Sequence, residues 1–184
     1  FGGDVGDLVT AATVMGVPHP SGYPLITLLG FLLTRIDFMT PAFMVGLISV
    51  FSSSLAVVIF YFFSLEITKS KLISLLSSFV LSFNYIFWFY AEIAELFALN
   101  NFFVVLLMFL GYLYFKYKKT KYLYLLFLFT SLSMTNNYII SFIFPSIFIL
   151  VFINFKEILK RPKTLLISFL LGLAGLSVYL YIPI

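Results

Sequence analysis

Cysteine is absent from these 184 residues and histidine occurs once. Disulfides, thiolate metal sites, Cys nucleophiles and multi-His metal sites are therefore excluded. Charge is scarce as well: 10% of the residues are Asp, Glu, Lys or Arg, against about 25% in a soluble domain. A chain so poor in charge cannot cover a globule with polar side chains, so lipid must be its solvent. The sequence holds no Walker loop, dinucleotide fingerprint or nucleophile elbow. Nor does a basic stripe lie on a polar face, which argues against nucleic acid as a partner.

What is present is apolar. Hydrophobic residues make up 62% of the chain and aromatic ones 21%, with 25 Phe and 12 Tyr, and the mean hydropathy is +1.14. Such aromatics suit lipid-facing surfaces and interface belts. A spanning helix needs about 20 apolar residues. Residues 41–64, 72–90, 96–115 and 165–183 meet that need. The run 122–153 is too long for one span, is interrupted at Thr135-Asn136-Asn137 and carries Pro145, so it reads as two short helices meeting near Asn136. The expectation is an all-α, polytopic membrane protein, one transmembrane region over 1–184. Residues 1–40 form an outer loop and 41–184 about six helices, two of them short. The chain begins at Phe1 without a signal-like segment and ends inside an apolar run. It therefore reads as a fragment, with further helices expected on both sides.

The net charge of +4 is a topology signal. Every base except Arg35 lies in the loops 65–71, 116–121 and 156–163. The spans above put all three loops on one side, which the positive-inside rule makes cytoplasmic. The other side receives Asp37, Glu92, Glu95, Asn136 and Asn137. Residues 8–15 form a short helix with Gly16 as its stop and Pro18 beyond. Residues 25–36 are apolar but short, a length typical of interfacial segments. Residues 4–40 are thus expected as an outer loop lying on the membrane. If 25–36 spanned instead, Asp4 would move to the cytoplasmic side.

Polar candidates are few. Asp4 and Asp7, three apart on an opening helical turn, can face the same way. The same spacing suits capping, with Asp4 as N-cap and Asp7 near N3. His19 sits between two prolines in a turn stiffened by Pro24, a rigid place for a polar group or an ordinary loop histidine. Glu92 and Glu95 stand at a span boundary, where a solvated loop is the default and a site the alternative. Asn100 and Asn101 lie deeper, where amides commonly bind across helices. Asn136 and Asn137 mark irregular backbone, which at membrane depth needs protein or water around it. Acids, one His and amides beside lipid suit proton transfer on a substrate arriving in the membrane.

At these residues a family resemblance enters. The stretch GGDVGDLVTAATVMGVPHPSGYPLITLLG (2–30) resembles the opening signature of a bacterial membrane family whose animal relative is a transmembrane protein O-mannosyltransferase. Asp4, Gly6, Ala11, Ala12, Gly16, His19, Pro20, Gly22, Tyr23 and Pro24 match it. AEIAELFALNNFF (91–103), TNNY (135–138) and YLYIPI (179–184) look like its later segments. Asp7 stands for the usual Glu, Ser21 for a Pro, and Asn137 and Tyr138 for His and Thr. The resemblance implies a GT-C-like helical bundle, a glycosyltransferase fold whose first outer loop carries short interfacial helices and an acid. It implies a polyprenyl- or dolichyl-phosphate sugar as donor, with mannose as the candidate sugar, and a protein or glycan acceptor. Membrane lipid is the remaining partner, in a bacterial cytoplasmic membrane with the site outward. Asp4 is then the general base and Asp7 its support. His19, Tyr23, Glu92, Glu95, Asn100 and Asn136 line the substrate site. No metal ligand is assigned; a divalent ion is left open, and the donor sugar is a substrate rather than a cofactor. A lipid or glycan transporter is the alternative class, since broken helices fit it too, and a purely structural subunit is the third.

Overall fold

The computed structural model describes residues 4–20, 22–153 and 158–182. Phe1 and Ser21, and the parts of the stretches above that fall at 2–3, 156–157 and 183–184, lie outside the described residues. Every regular element described is helical. In chain order these are α1 (Val5–Val14), α2 (Pro24–Thr34), α3 (Pro41–Thr68), α4 (Lys71–Ser82), α5 (Tyr85–Glu92), α6 (Leu96–Tyr117) and α7 (Thr120–Met134). A 3-10 turn (Tyr138–Ile143), α8 (Phe144–Phe152), α9 (Pro162–Leu176) and a last 3-10 turn (Ser177–Tyr181) follow.

Side-chain caps and prolines set many of the boundaries. Thr40 accepts from the Phe43 amide, with Pro41 in the first turn of α3. Ser70 caps α4 in the same way. Asn84 accepts from the amides of both Ile86 and Phe87 and starts α5. Residues 72–90 are therefore not one straight span. The chain breaks at Phe83-Asn84 and α5 leaves α4 at 62°, because the extended Asn84 backbone and its cap begin a new helix. Several ends use left-handed residues: Met15, Lys69 and Lys118 stand at C-caps with positive φ. Met15, not Gly16, is thus the turning point of α1, and α1 starts at Val5 rather than residue 8. Pro145 opens α8 and does not interrupt it.

Three stretches are long and apolar enough to cross a membrane: Pro41–Thr68, Leu96–Tyr117 and Pro162–Tyr181, or four with the bent pair α4–α5. Their outward faces carry exposed Phe51, Leu55, Phe62, Val80, Phe169 and Leu170, which only lipid or another apolar surface can cover. The chain is a helical membrane protein. Its core runs through Leu8, Ile26, Val45, Leu99, Phe103, Leu107 and Leu126. Along it α3 packs on α6, with Phe63 against Phe109 and Tyr112. Helix α7 packs on α9, where Gly175 lets the backbones approach.

The two ends of the bundle differ in chemistry. At one end Glu66, which lies on α3 and not in a loop, bridges Lys69 (2.9 Å) and Lys116 (2.8 Å) and accepts from the Tyr117 hydroxyl. Lys118 and Arg161 line one small cleft there, so all three basic loops meet. Helix α6 carries the chain about 33 Å to the other end, where Glu95, Asp4 and the Thr135–Asn137 break gather. Helix α2, with 11 residues, is about 16 Å long and cannot cross a core of about 30 Å. Asp4 therefore stays at the end opposite the bases.

Candidate functional site

The site grows out of the loop between α1 and α2. After Met15 the chain doubles back, helped by Gly22 at φ 87°, a conformation that favours glycine. The reversal returns His19 to the first turn of α1. There the Asp7 carboxylate accepts from the His19 backbone N–H at 2.9 Å and meets ring Nδ1 at 2.6 Å through the same oxygen. Nε2 of the same ring lies 3.3 Å from Asp4 Oδ2 and 3.3 Å from the Tyr23 hydroxyl. The Tyr23 ring stands edge-on to the imidazole at 5.2 Å. Tyr23 itself holds a left-handed backbone, φ 37°, which costs a non-glycine residue roughly 1–2 kcal/mol. Pro24 behind it disfavours the right-handed alternative.

These contacts bear on the capping reading of the aspartates. Asp4 is the residue before α1, yet its side chain makes no capping bond. It faces His19 instead, and its carboxylate is half exposed, 52%. Asp7 likewise turns to His19. The capping reading is corrected for both, because the returning His19 amide and ring supply the partners of these carboxylates in place of helix amides. Asp4 is held by its own backbone: its N–H donates to Glu95 Oε1 at 3.1 Å. Glu95 is not in a solvated loop, being 6% exposed at the start of α6.

Electrostatics follow from the geometry. The His19 backbone N–H, then its ring, hold Asp7 below the ordinary carboxylate value of 3.8. The Asp7 hydrogen bond, helped by the charges of Asp4, Asp7 and Glu95, raises His19 above its usual 6.5. Burial pushes the Glu95 carboxyl up, against the pull of the Asp4 amide. Among the described residues, no three of His, Cys, Asp and Glu are arranged to hold a metal ion.

The remaining expected site residues lie near this cluster without joining its hydrogen bonds. Glu92 is exposed and accepts from the Trp88 indole N–H. It borders a cleft of about 370 Å³ lined by Val5, Phe43, Gly46, Val50 and Ala94, the chain neighbours of Asp4 and Glu95 among them. A second cleft, about 250 Å³, continues from Val50 and Glu92 down α3 to Val57 and Ser82, in the angle of the α4–α5 bend. Asn100 is buried on α6 and its carbonyl oxygen has no partner among the described residues. Asn136 is fully buried and donates to Leu96 O at 3.2 Å, stitching the α7 end to α6. Tyr181 and Trp88 were not singled out by sequence. The Tyr181 hydroxyl donates to Gly16 O at 2.7 Å and so ties down the loop bearing His19. For Trp88 the available signal was its position four residues before Glu92.

Arg35, which lies outside the three basic loops, is engaged away from this cluster. Its guanidinium donates to Thr13 O at the far end of α1 and lies 4.2 Å over the Phe31 ring.

Comparison with known proteins shows the family. A family model described as the protein O-mannosyl-transferase TMEM260 N-terminal domain matches residues 4–160. Protein O-mannosyl-transferase tmem260 of Dictyostelium discoideum is 31% identical over 196 residues, covering 97% of this chain and 24% of that protein. The mouse protein O-mannosyl-transferase TMEM260 is 40% identical over 108 residues, covering 58% of this chain and 15% of its own length. The chain thus spans about a quarter or less of the relatives it matches. No solved structure matches it. With most of its length matched, and the Asp4–His19 cluster within the match, the chain belongs to the family of the TMEM260 protein O-mannosyl-transferase N-terminal domain.

Proposed function

We propose that this chain is the donor-side part of a membrane glycosyltransferase of GT-C type. It moves a sugar, mannose by the relatives' names, from a polyprenyl- or dolichyl-phosphate carrier to a hydroxyl of a protein or glycan acceptor. The reading places the site on the outer face. It assigns a bacterial cytoplasmic membrane on the resemblance of residues 2–30 to the bacterial family. The observation that carries it is Asp4: a half-exposed carboxylate spared from capping, positioned through its amide by buried Glu95, beside an apolar cleft.

In this reading Asp4 takes the acceptor's hydroxyl proton as the oxygen attacks the anomeric carbon. The carbon–oxygen bond to the carrier phosphate breaks, its electron pair leaves with the phosphate, and configuration inverts. The carrier's hydrocarbon tail lies in the α3–α5 clefts. Those clefts are apolar apart from Glu92 and a few serine hydroxyls, and they start beside Asp4. The leaving charge needs a cation, a helix N-terminus or a metal ion. Arg35 is turned away and both His19 nitrogens face carboxylates, so neither is assigned to it.

The test is donor dependence of the full-length protein in proteoliposomes. Transfer from lipid-phosphate-linked mannose, and none from a nucleotide-linked sugar, is expected. Transport of the labelled lipid without transfer would replace this reading with the transporter.

A further inference from the structure

His19 has one nitrogen committed and one poised. The Asp7 oxygen that faces Nδ1 also accepts the His19 amide, and an ionised carboxylate only accepts, so Nδ1 carries a hydrogen. A neutral ring then presents the Nε2 lone pair. Two hydroxyl-bearing or acidic groups face that lone pair at 3.3 Å, Tyr23 Oη and Asp4 Oδ2. The ring is held by these contacts and by the edge-on Tyr23, yet its side chain is 38% exposed. The charged groups facing it are Asp4 just before α1, Asp7 on α1 and Glu95 at the start of α6, with Tyr23 ahead of α2.

We propose that His19 is the second station of a proton relay, receiving at Nε2 the proton that Asp4 takes from the acceptor hydroxyl. The inference rests on the reading of Asp4 given above. In the step, the Asp4 O–H bond breaks and an Nε2–H bond forms. Asp4 is again a carboxylate, and the imidazolium lies between it and Asp7. The exposed ring then gives the proton to water, which restores the neutral ring hydrogen-bonded to Tyr23. His19 acts through Asp4 and is a positioning residue.

The direction of the pH profile separates this role from phosphate holding. A relay needs the neutral ring, so kcat rises with pH through the His19 pKa, which Asp7 raises above 6.5. Holding a phosphate needs the imidazolium, so kcat would fall there. The experiment measures kcat and KM against pH for the full-length wild type, His19→Gln, and His19→Ala with and without added imidazole. Expected are a rising limb in the wild type and its loss in His19→Gln. His19→Ala should lose roughly 10²-fold in kcat with donor KM unchanged, and imidazole should restore part of the rate. A falling limb, a wild-type kcat in His19→Ala, or a raised donor KM without rescue overturns the relay. Full activity of Asp4→Asn, with His19→Ala still rescued by imidazole, makes His19 itself the base and overturns the relay while leaving the transferase standing. No transfer by wild type under any condition overturns both.

Discussion

Gly175 offers the sharpest test of how the bundle is built. A Cβ at this position would meet the Ser131 hydroxyl, the Leu128 carbonyl oxygen at 2.7 Å and the Leu132 amide nitrogen at 2.9 Å. Ser131 cannot turn away freely, because its hydroxyl donates to Phe127 O and Leu128 O. Leu128 O and Leu132 N are backbone and cannot yield. Gly175→Ala therefore forces α7 and α9 apart by about 0.7 Å to reach ordinary contact, and a gap of that size forfeits a quarter to a half of each contact's attraction. The expected cost is about 1–3 kcal/mol, a fall of roughly 3–10 °C in thermal midpoint for the membrane-reconstituted protein. Two controls bracket it. Gly172→Ala meets only Phe127 at 3.7 Å, and Gly46→Ala meets nothing within 4 Å, so both should melt within a degree or two of wild type. If Gly175→Ala melts with the controls, α7 and α9 do not approach as described.

Other outcomes follow from single contacts. Glu95→Gln keeps an acceptor for the Asp4 amide and should retain most activity. Glu95→Ala leaves that amide without its partner, so sugar transfer should fall clearly further, and equal activities would remove Glu95 from its positioning role. Asn84→Ala loses the cap on Ile86 and Phe87 and should cost about 1 kcal/mol, read as a lower midpoint and faster proteolysis at the α4–α5 bend. The Asp7–His19 pair makes stability pH-dependent in a definite direction. Asp7, lowered from 3.8, contributes above that value and loses its contribution as pH falls through its lowered pKa. His19, raised from 6.5, contributes below that value and loses its contribution as pH rises through its raised pKa. The midpoint gap between wild type and His19→Gln should therefore be widest between pH 3.8 and 6.5 and close at both extremes; a constant gap would show that the pair does not form.

Much of the architecture is legible because hydropathy and positive charge act locally. The three basic loops and the break at Thr135–Asn137 follow from runs of residue types, and they separate the two ends of the bundle. The bend at Phe83-Asn84 is harder to read, since an apolar run conceals it and only Asn84 signals a new helix start. Asp4 and Asp7 remain ambiguous in sequence because three-residue spacing on a first turn serves capping and a shared site equally. What breaks the tie is His19, twelve residues beyond Asp7, delivered by a loop reversal that no local pattern specifies. The contact of Glu95 is equally non-local: its carboxylate accepts from the Asp4 amide, 91 residues away in the chain. Glu92, three residues earlier and similar on paper, stays exposed.

The central claim is that Asp4 serves the transfer chemistry rather than the fold. Asp4→Asn in the full-length protein tests it most directly, with labelled lipid-phosphate mannose and acceptor in proteoliposomes. Expected is a loss of transfer of roughly 10²–10⁴-fold with the thermal midpoint and donor binding little changed, since the hydrogen bond from the Asp4 amide to Glu95 does not involve the Asp4 side chain. Transfer retained at the wild-type rate would contradict it.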